Sequence, residues 1–215
     1  MKKLLVSTLL ITSTLFAFGM HNKGNCGNFS KILQQYPIQT LSNKEKNALL
    51  HMREEEKLAR DVYITLYKKW GFRVFNRISK AEQHHMDMVK LLLNRYKLPD
   101  NAANTENKIG VFNDKKVQEL YNQLVAQGEK SGIEALKVGA LIEDLDIYDL
   151  EKFMKESDNK DLLFIFKNLT KGSRNHMRAF IGFLTRNHIT YKPQYISQQQ
   201  YNQIINSRFE RGMIR

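Results

Sequence analysis

The 215-residue chain has only one cysteine and three prolines, and it lacks the strict polar–apolar alternation of β-strands. Because Cys26 is the single thiol, an internal disulfide is excluded, and stability must come from apolar burial or from a metal. The prolines lie outside the long stretches of regular apolar spacing, as uninterrupted helices require: Pro37, Pro99 and Pro193. These absences favour an all-α fold.

The first nineteen residues have the pattern of an export signal. A short positive start is followed by an apolar run over residues 4–18, and Ala17 and Gly19 have the small side chains that a signal peptidase needs. The run is shorter than a comfortable membrane span, although an uncleaved anchor is the alternative, and no later segment is apolar enough to cross a bilayer. We therefore expect a signal peptide over residues 1–19, cleaved near Gly19, and a periplasmic or secreted mature protein.

The formal net charge is +12, and removal of Lys2 and Lys3 with the signal peptide leaves +10. A charge of this size allows contact with an anionic envelope surface. The lysines and arginines are, however, interspersed with acids along helical segments, and the sequence contains no nucleic-acid-binding motif. Together with export, this distribution argues against a nucleic-acid partner.

Apolar residues recur at steps of three and four in four long segments, which is the pattern of amphipathic helices. The predicted helices cover residues 42–70, 76–96, 133–155 and 160–187. Ser42 and Glu45 have the spacing of a capping box, and Gly71 ends the first helix. Four such helices predict a helical bundle.

The segments between and around these helices complete the predicted organisation. A polar stretch over residues 100–110 and a short helix over residues 114–127 form a long crossover between the second and third long helices. We divide the chain into four parts: a signal peptide over 1–19, an N-terminal polar segment over 20–40, a helical bundle over 41–190 and a C-terminal tail packed on the bundle over 191–215.

Ionisable residues interrupt the inward-facing apolar rows of all four long helices. They comprise three glutamates and two histidines: Glu56, Glu82, His85, Glu143 and His176. A carboxylate in a core costs several kcal/mol unless it is paired or bound to a cation. Glu82 and His85 are three residues apart and therefore project from the same face of their helix. Because a divalent or trivalent metal would neutralise these acids directly, the rows predict a carboxylate–histidine metal centre in the core.

Each piece of this pattern has a plainer explanation when it is taken alone. A Glu-x-x-His pair is common on charged helices, and the run Glu54–Glu56 is typical of a solvated face. A buried histidine such as His176 is more often a hydrogen-bonded structural residue than a ligand. The joint placement, with one set on each long helix, favours the metal centre.

Several short motifs resemble a known family. The pattern E-x-x-A-x-x-x-Y over residues 56–63 and the run EQHH over residues 82–85 resemble the first- and second-helix signatures of the ferritin-like superfamily. The chain is more closely similar to the branch catalogued as domain of unknown function 2202, in stretches over residues 54–63, 81–86, 143–147 and 172–176. The resemblance extends over residues 41–212 and implies a ferritin-like four-helix bundle.

The ferritin-like resemblance implies a di-iron site, in which two helices each carry a Glu-x-x-His pair and the other two each carry a glutamate. Ser173 occupies the position of the fourth-helix glutamate, which is a departure from that pattern. Asp146, one turn after Glu143, is a candidate replacement, as is a water; otherwise the site holds one metal or binds two asymmetrically. Glu55 is the alternative first-helix ligand if that helix is rotated.

The functional prediction follows from this centre. We expect iron, as two ions or one, with manganese or zinc as alternative metals, and redox chemistry on oxygen, peroxide or ferrous iron. Tyr63 is either a packed core residue or a neighbour of the metals with a redox role. The alternative function is a non-enzymatic, basic helical envelope protein whose metal is structural or absent. Pairing into a homodimer through exposed helix faces fits either function.

Overall fold

The computed structural model describes the backbone over residues 23–215 and the side chains from residue 27 onward. This part of the chain contains seven helices and no strand, which confirms the predicted all-α fold. In chain order they are α1 (Lys23–Leu33), α2 (Asn43–Trp70), α3 (Arg73–Arg95), α4 (Lys115–Gly128), α5 (Gly132–Lys155), α6 (Lys160–Arg186) and α7 (Gln198–Asn206). The predicted signal peptide over residues 1–19 lies outside the described residues.

The four long helices that the apolar spacing predicts are α2, α3, α5 and α6. Ser42 and Glu45 form the predicted capping box: the Glu45 carboxylate accepts from the Ser42 backbone at 2.8 Å, and the Ser42 hydroxyl accepts from the Glu45 backbone at 3.2 Å. Gly71 ends α2 in the left-handed conformation, with φ at +70°. Helix α3 begins earlier than predicted, at Arg73, where burial of Phe75 stabilises the first turn without a side-chain cap.

The long helices pack as two antiparallel pairs, and a short link joins the two helices within each pair. Helix α2 packs along α3 and α5 along α6, and the pairs stack with α2 against α5 and α3 against α6. The crossover between the pairs carries α4, which packs on α5 and α2. Asp114 caps α4 by accepting from the Lys116 backbone at 2.7 Å. The arrangement is the predicted bundle of four helices with a short extra helix.

Helix α2 is buried on nearly all sides over residues 52–63. One side of α2 faces the bundle core. The part of the crossover that precedes α4, residues 98–114, covers another side. Arg53 and Lys57, which have no exposed surface, both donate hydrogen bonds to this crossover. The interpretation of Glu54–Glu56 as a solvated face is therefore wrong, since all three side chains are buried.

Two short helices, α1 near the N-terminus and α7 near the C-terminus, pack on the outside of the bundle. The apolar spacing predicts no helix in the N-terminal polar segment, yet α1 forms there and packs on α3, with Phe29 and Leu33 buried. The C-terminal tail contains α7, which packs on α6 and buries Tyr201 and Ile204. Within the described part of the chain, no helix is long and apolar enough to cross a membrane.

Two apolar clusters fill the bundle, one toward each end. Helix α2 contributes Leu49 and Met52 to one cluster and Leu58 to the other. Helix α6 contributes Leu169 to the first cluster and Met177 to the second. The residues between these positions form a polar layer in the middle of the bundle, and the candidate site lies in this layer.

Candidate metal centre

All five predicted ligands lie in or beside the polar layer. Glu56 comes from α2, Glu82 and His85 from α3, Glu143 from α5 and His176 from α6. Their side chains are between 1 % and 12 % exposed. Each long helix therefore supplies at least one ionisable side chain to the interior of the bundle.

The structure brings the five side chains into two groups that share Glu82. The first contains Glu56, Glu82 and His85, and the second contains Glu82, Glu143 and His176; within each group, one potential ligand atom per residue lies within 4.8 Å of the others. Glu82 Oε2 is 2.8 Å from His85 Nδ1, and Glu82 Oε1 is 2.8 Å from His176 Nδ1. One carboxylate thus presents a different oxygen to each group, as a ligand bridging two metal ions does.

Several buried atoms of these groups have no hydrogen-bond partner: Glu56 Oε1, Glu82 Oε1 and His176 Nδ1. Glu82 Oε1 and His176 Nδ1 are close together, but their orientation forms no hydrogen bond. Buried polar atoms in proteins are nearly always satisfied. Among the salt bridges of the described residues, none joins a lysine or arginine to these carboxylates. The residues therefore fit a bound cation, which would satisfy the acids and the imidazoles together.

Protons compensate the buried acids of the centre. Burial raises the pKa of Glu56 to about 8 and the pKa of Glu143 to about 7. Burial lowers the pKa of His85, but the charges of Glu56 and Glu82 outweigh it and raise this pKa to about 10. Burial also disfavours the Glu82 carboxylate, but the charges of His176 and His85 bring its pKa below the ordinary value. A metal that binds here must displace protons.

Asp146, the candidate replacement for the missing fourth-helix glutamate, is buried but belongs to neither group. The Ser173 hydroxyl donates to Asp146 Oδ2, whereas Asp146 Oδ1 has no hydrogen-bond partner. Burial and the negative charges of Glu56, Glu55 and Glu143 raise the pKa of Asp146 well above its ordinary value. Ser173 therefore orients a carboxylate beside the centre and leaves one of its oxygens without a partner.

Tyr63 lies beside the second group. Its hydroxyl donates to Glu143 Oε1 at 2.6 Å, and its ring packs against Phe75 and Phe180. Burial and the negative charge of Glu143 raise the pKa of Tyr63 well above its ordinary value, so the hydroxyl keeps its proton. Tyr63 is therefore packed in the core and also contacts a candidate ligand, and a redox role for it stays a prediction.

A surface pocket of about 340 Å³ reaches His85 from outside the bundle. Phe29, Met88 and Met213 contribute apolar surface to its lining. His85 turns Nδ1 toward the carboxylates, while its Nε2 lies against Gly172. A Cβ atom on Gly172 would overlap the imidazole, so this position of the ring depends on glycine. The pocket gives small molecules a path to the edge of the centre.

Glu55, the alternative first-helix ligand, belongs to neither of the two groups. It lies with His51 and Asp149 in a third set of potential ligands, closer to the surface, between α2 and α5. The motifs in the sequence did not predict this set. Its signals in the sequence are the four-residue spacing of His51 and Glu55 and the position of Asp149 one turn after Asp146.

Comparison with known proteins confirms the resemblance to the domain of unknown function 2202. The family model described as an uncharacterised protein domain, DUF2202, matches residues 45–208, which include every candidate ligand. The uncharacterised protein MJ0754 of Methanocaldococcus jannaschii is 54 % identical over 183 residues, which are 85 % of this chain and 98 % of that protein. The crystal structure of the hypothetical protein MJ0754 from Methanococcus jannaschii DSM 2661 matches with a TM-score of 0.79 and 55 % identity, covering 81 % of this chain and 98 % of that chain.

Proposed function

The chain belongs to the DUF2202 family, and from that premise and the geometry of its core we propose an exported, ferritin-like metalloprotein with a di-iron carboxylate–histidine centre. Its reaction would be redox chemistry on oxygen, peroxide or ferrous iron. The observation that carries the proposal is Glu82, whose two oxygens face two different groups of ligands. The contribution of all four long helices to these groups supports the ferritin-like part of the proposal.

The candidate ligands divide between two ions. Glu56 and His85 would hold one ion, Glu143 and His176 would hold the other, and Glu82 would bind both. Iron in such a centre supplies one-electron redox chemistry that protein side chains cannot. Carboxylates with imidazoles also suit manganese and zinc, which are the alternative metals.

Two neighbouring residues would hold the ligands in position. Tyr63 donates to Glu143 Oε1, which leaves Glu143 Oε2 facing His176 Nδ1 at 3.5 Å. Ser173 donates to Asp146 Oδ2 and leaves Asp146 Oδ1 available as a fourth carboxylate oxygen. Such hydrogen bonds from outside the ligand set orient the ligands and tune the affinity for the metal.

The surroundings of the centre favour a small reactant. The apolar clusters on both sides exclude water from the ligands. The pocket beside His85 has a volume near the lower limit of small-molecule sites. Its lining is mixed, with Phe29 and Met88 beside polar residues such as Lys171, and its size suits a small oxidant. We therefore expect oxygen or peroxide to reach the centre along this pocket.

Metal content tests the proposed function. Protein loaded anaerobically with ferrous iron should contain about two irons per chain by mass spectrometry, and its absorbance should change when oxygen is admitted. The double variant Glu82→Ala, His85→Ala should lose both irons, because Glu82 is shared. Asp87→Asn is the matched control, since Asp87 lies on the same helix outside both groups, and it should retain them.

The other outcomes of this test have distinct meanings. About one iron per chain would replace the di-iron centre with a mononuclear one. No specific metal in the parent protein would overturn the proposal and leave the basic helical envelope protein. Binding of the metal-free chain to anionic lipid vesicles, weakened by salt, would then be the next measurement.

We also propose that the mature chain begins after Gly19 and functions outside the cytoplasm. The pattern of residues 1–19 supports this location. The charge of +10 that remains after removal of Lys2 and Lys3 would allow the mature chain to contact an anionic envelope. The intact mass of protein recovered from the envelope or the medium should correspond to a chain starting at Met20. Recovery of the full-length chain from the cytoplasm would contradict export.

A further inference from the structure

We propose that His51, Glu55 and Asp149 form a separate divalent-cation site near the surface, and that cations pass from it to the buried centre. The three residues come from α2 and α5, the helices that also supply Glu56 and Glu143. The passage inward rests on the function proposed above, whereas the capacity of the three residues to bind a cation does not.

The three side chains converge on one point. His51 and Glu55 share a face of α2 because they are four residues apart, and Asp149 approaches them from α5. His51 Nε2 lies 3.2 Å from Glu55 Oε2 and 3.5 Å from Asp149 Oδ2. One potential ligand atom from each residue lies within 4.8 Å of the others. One imidazole and two carboxylates are also the kinds of ligand found in each buried group.

A second observation distinguishes this set from an ordinary surface ion pair. Glu55 is only 6 % exposed, and its Oε2 makes no hydrogen bond although it faces His51. A buried oxygen without a partner is costly, and the same feature marks Glu56 and Glu82 in the buried groups. A divalent cation between the three residues would satisfy this oxygen.

The set is open to solvent on its outer side. The His51 side chain is 45 % exposed, and a surface pocket of about 400 Å³ contains both His51 and Asp149. Lys44 and Lys152 line the same pocket, but Lys44 is paired with Glu156 at 3.2 Å, so its charge is offset. A hydrated cation can therefore reach the set from solvent without a change in the bundle.

Carboxylates connect this set to the buried centre. On α5, Asp149, Asp146 and Glu143 follow one another at three-residue steps and share one side of the helix. On α2, Glu55 adjoins Glu56. Asp146 lies between the two regions, interacts electrostatically with Glu55 and Glu56, and has one oxygen without a partner. A cation moving inward would pass from one carboxylate to the next and would avoid the apolar clusters, where its desolvation cost would be large.

This proposal is tested by titrating the mature chain with Co²⁺ and measuring binding by calorimetry and by visible absorption. The parent should bind about three ions per chain. The double variant His51→Gln, Asp149→Asn should bind about two, and filling of the buried pair should be about tenfold slower because the outer negative field is lost. Both side chains are partly exposed, so the variant should fold, as circular dichroism would show. Glu119→Gln is the control, because it removes an exposed carboxylate of α4 that lies outside the set and outside its pocket.

The outcomes separate this proposal from the function proposed above. A parent that binds two ions and behaves like the double variant would overturn the surface site and leave the buried centre. A different outcome is a parent that binds a single ion, which His51→Gln, Asp149→Asn loses and Glu82→Ala, His85→Ala keeps. This result would support the surface site and overturn the buried centre. Loss of one ion with an unchanged filling rate would overturn the passage inward. Retention of three ions by the double variant would overturn the surface site.

Discussion

Two sides of α2 bury charge in opposite ways. On the side that the crossover covers, Lys57 meets Asp61 at 2.5 Å and Arg53 meets Asp100 at 2.9 Å. On the side that faces the core, Glu56 is equally buried, yet its Oε1 has no partner. Buried charge alone therefore does not mark a metal site. What distinguishes the core side, within the described residues, is that no lysine or arginine pairs with its acids, which imidazoles and protons compensate instead.

On the crossover side of α2, the buried charges have all their partners within the protein and need no metal. Lys57 Nζ also donates to the carbonyl oxygens of Lys108 and Val111, at 3.1 and 3.0 Å. Asp61 accepts from Arg60 at 2.9 Å and from the Gly110 backbone at 3.0 Å. Each cation or acid here has its partners within the fold, so these charges fix the crossover to the helix.

The largest loss of stability is expected from breaking the crossover side. Lys57→Met leaves Asp61 buried without its closest cation, which should cost about 3 kcal/mol, the lower end of the usual range, because Arg60 still contacts Asp61. Urea unfolding should show this loss with and without iron. The double variant Lys57→Met, Asp61→Leu should recover part of it, since the unpaired charge is gone. A loss that disappears on addition of iron would contradict the separation of the two sides.

A smaller effect is expected when one ligand of the core side is displaced. Gly172→Ala places a Cβ against His85 and should lower the affinity for the metal about 10- to 100-fold. Gly182→Ala is the matched control on α6, because its Cβ meets no neighbour, and it should stabilise the helix by about 0.5–1 kcal/mol. Metal titration and urea unfolding of both variants measure the two effects. Equal metal affinities would show that His85 Nδ1 is not a ligand.

The two sides of α2 should also respond to pH in opposite directions. Burial disfavours the Asp100 carboxylate, but the hydrogen bond and charge of Arg53, together with the Ala102 backbone and Lys90, hold its pKa below the ordinary value. This side therefore contributes stability that is lost on acidification. In the metal-free centre, burial raises the pKa of Glu56 to about 8, and the nearby carboxylates raise that of His85 to about 10. There the folded state holds protons that the unfolded state releases, so stability falls as pH rises.

Urea unfolding in the presence of a chelator, at pH values from about 5 to 8, measures this response. The fall should not exceed about 1.4 kcal/mol per pH unit for each proton retained. Glu56→Gln removes one of these groups and should make the profile flatter, while bound metal should reverse its sign because protons then compete with the ion. A metal-free parent that gains stability steadily up to pH 8 would contradict the protonated centre.

The helical periodicity was sufficient to place the core side of α2. Glu56 interrupts a row of apolar residues, and the same holds for Glu82 and His85 on α3, so their burial follows from the spacing alone. Whether these residues bind a metal stays a prediction. The starts of α2 and α4 were also predictable, because their caps, Ser42 and Asp114, are local signals.

The other sides of α2 depend on contacts between distant segments. Glu54 accepts from the Asn113 backbone in the crossover, and Glu55 faces His51 near α5, so three consecutive glutamates reach three environments. No local pattern shows which segment will cover each side. Helix α1 was missed for a similar reason: its glycines and asparagines have low helix propensity, and burial of Phe29 against the bundle stabilises it.

The smallest effect is expected from loosening Asp146. This residue is either paired within the protein, through Ser173, or a ligand of the proposed metals. Ser173→Ala removes the hydroxyl that donates to Asp146 and should cost about 1 kcal/mol. Thr170→Ala is the matched control, because its hydroxyl donates only to the Phe166 carbonyl of the same helix. If Asp146 is the fourth carboxylate ligand, calorimetry should show one of the two ions bound about tenfold more weakly in Ser173→Ala alone. Equal metal affinities in both variants would instead show that Asp146 is not a ligand. The metals would then be held only by the two groups that share Glu82.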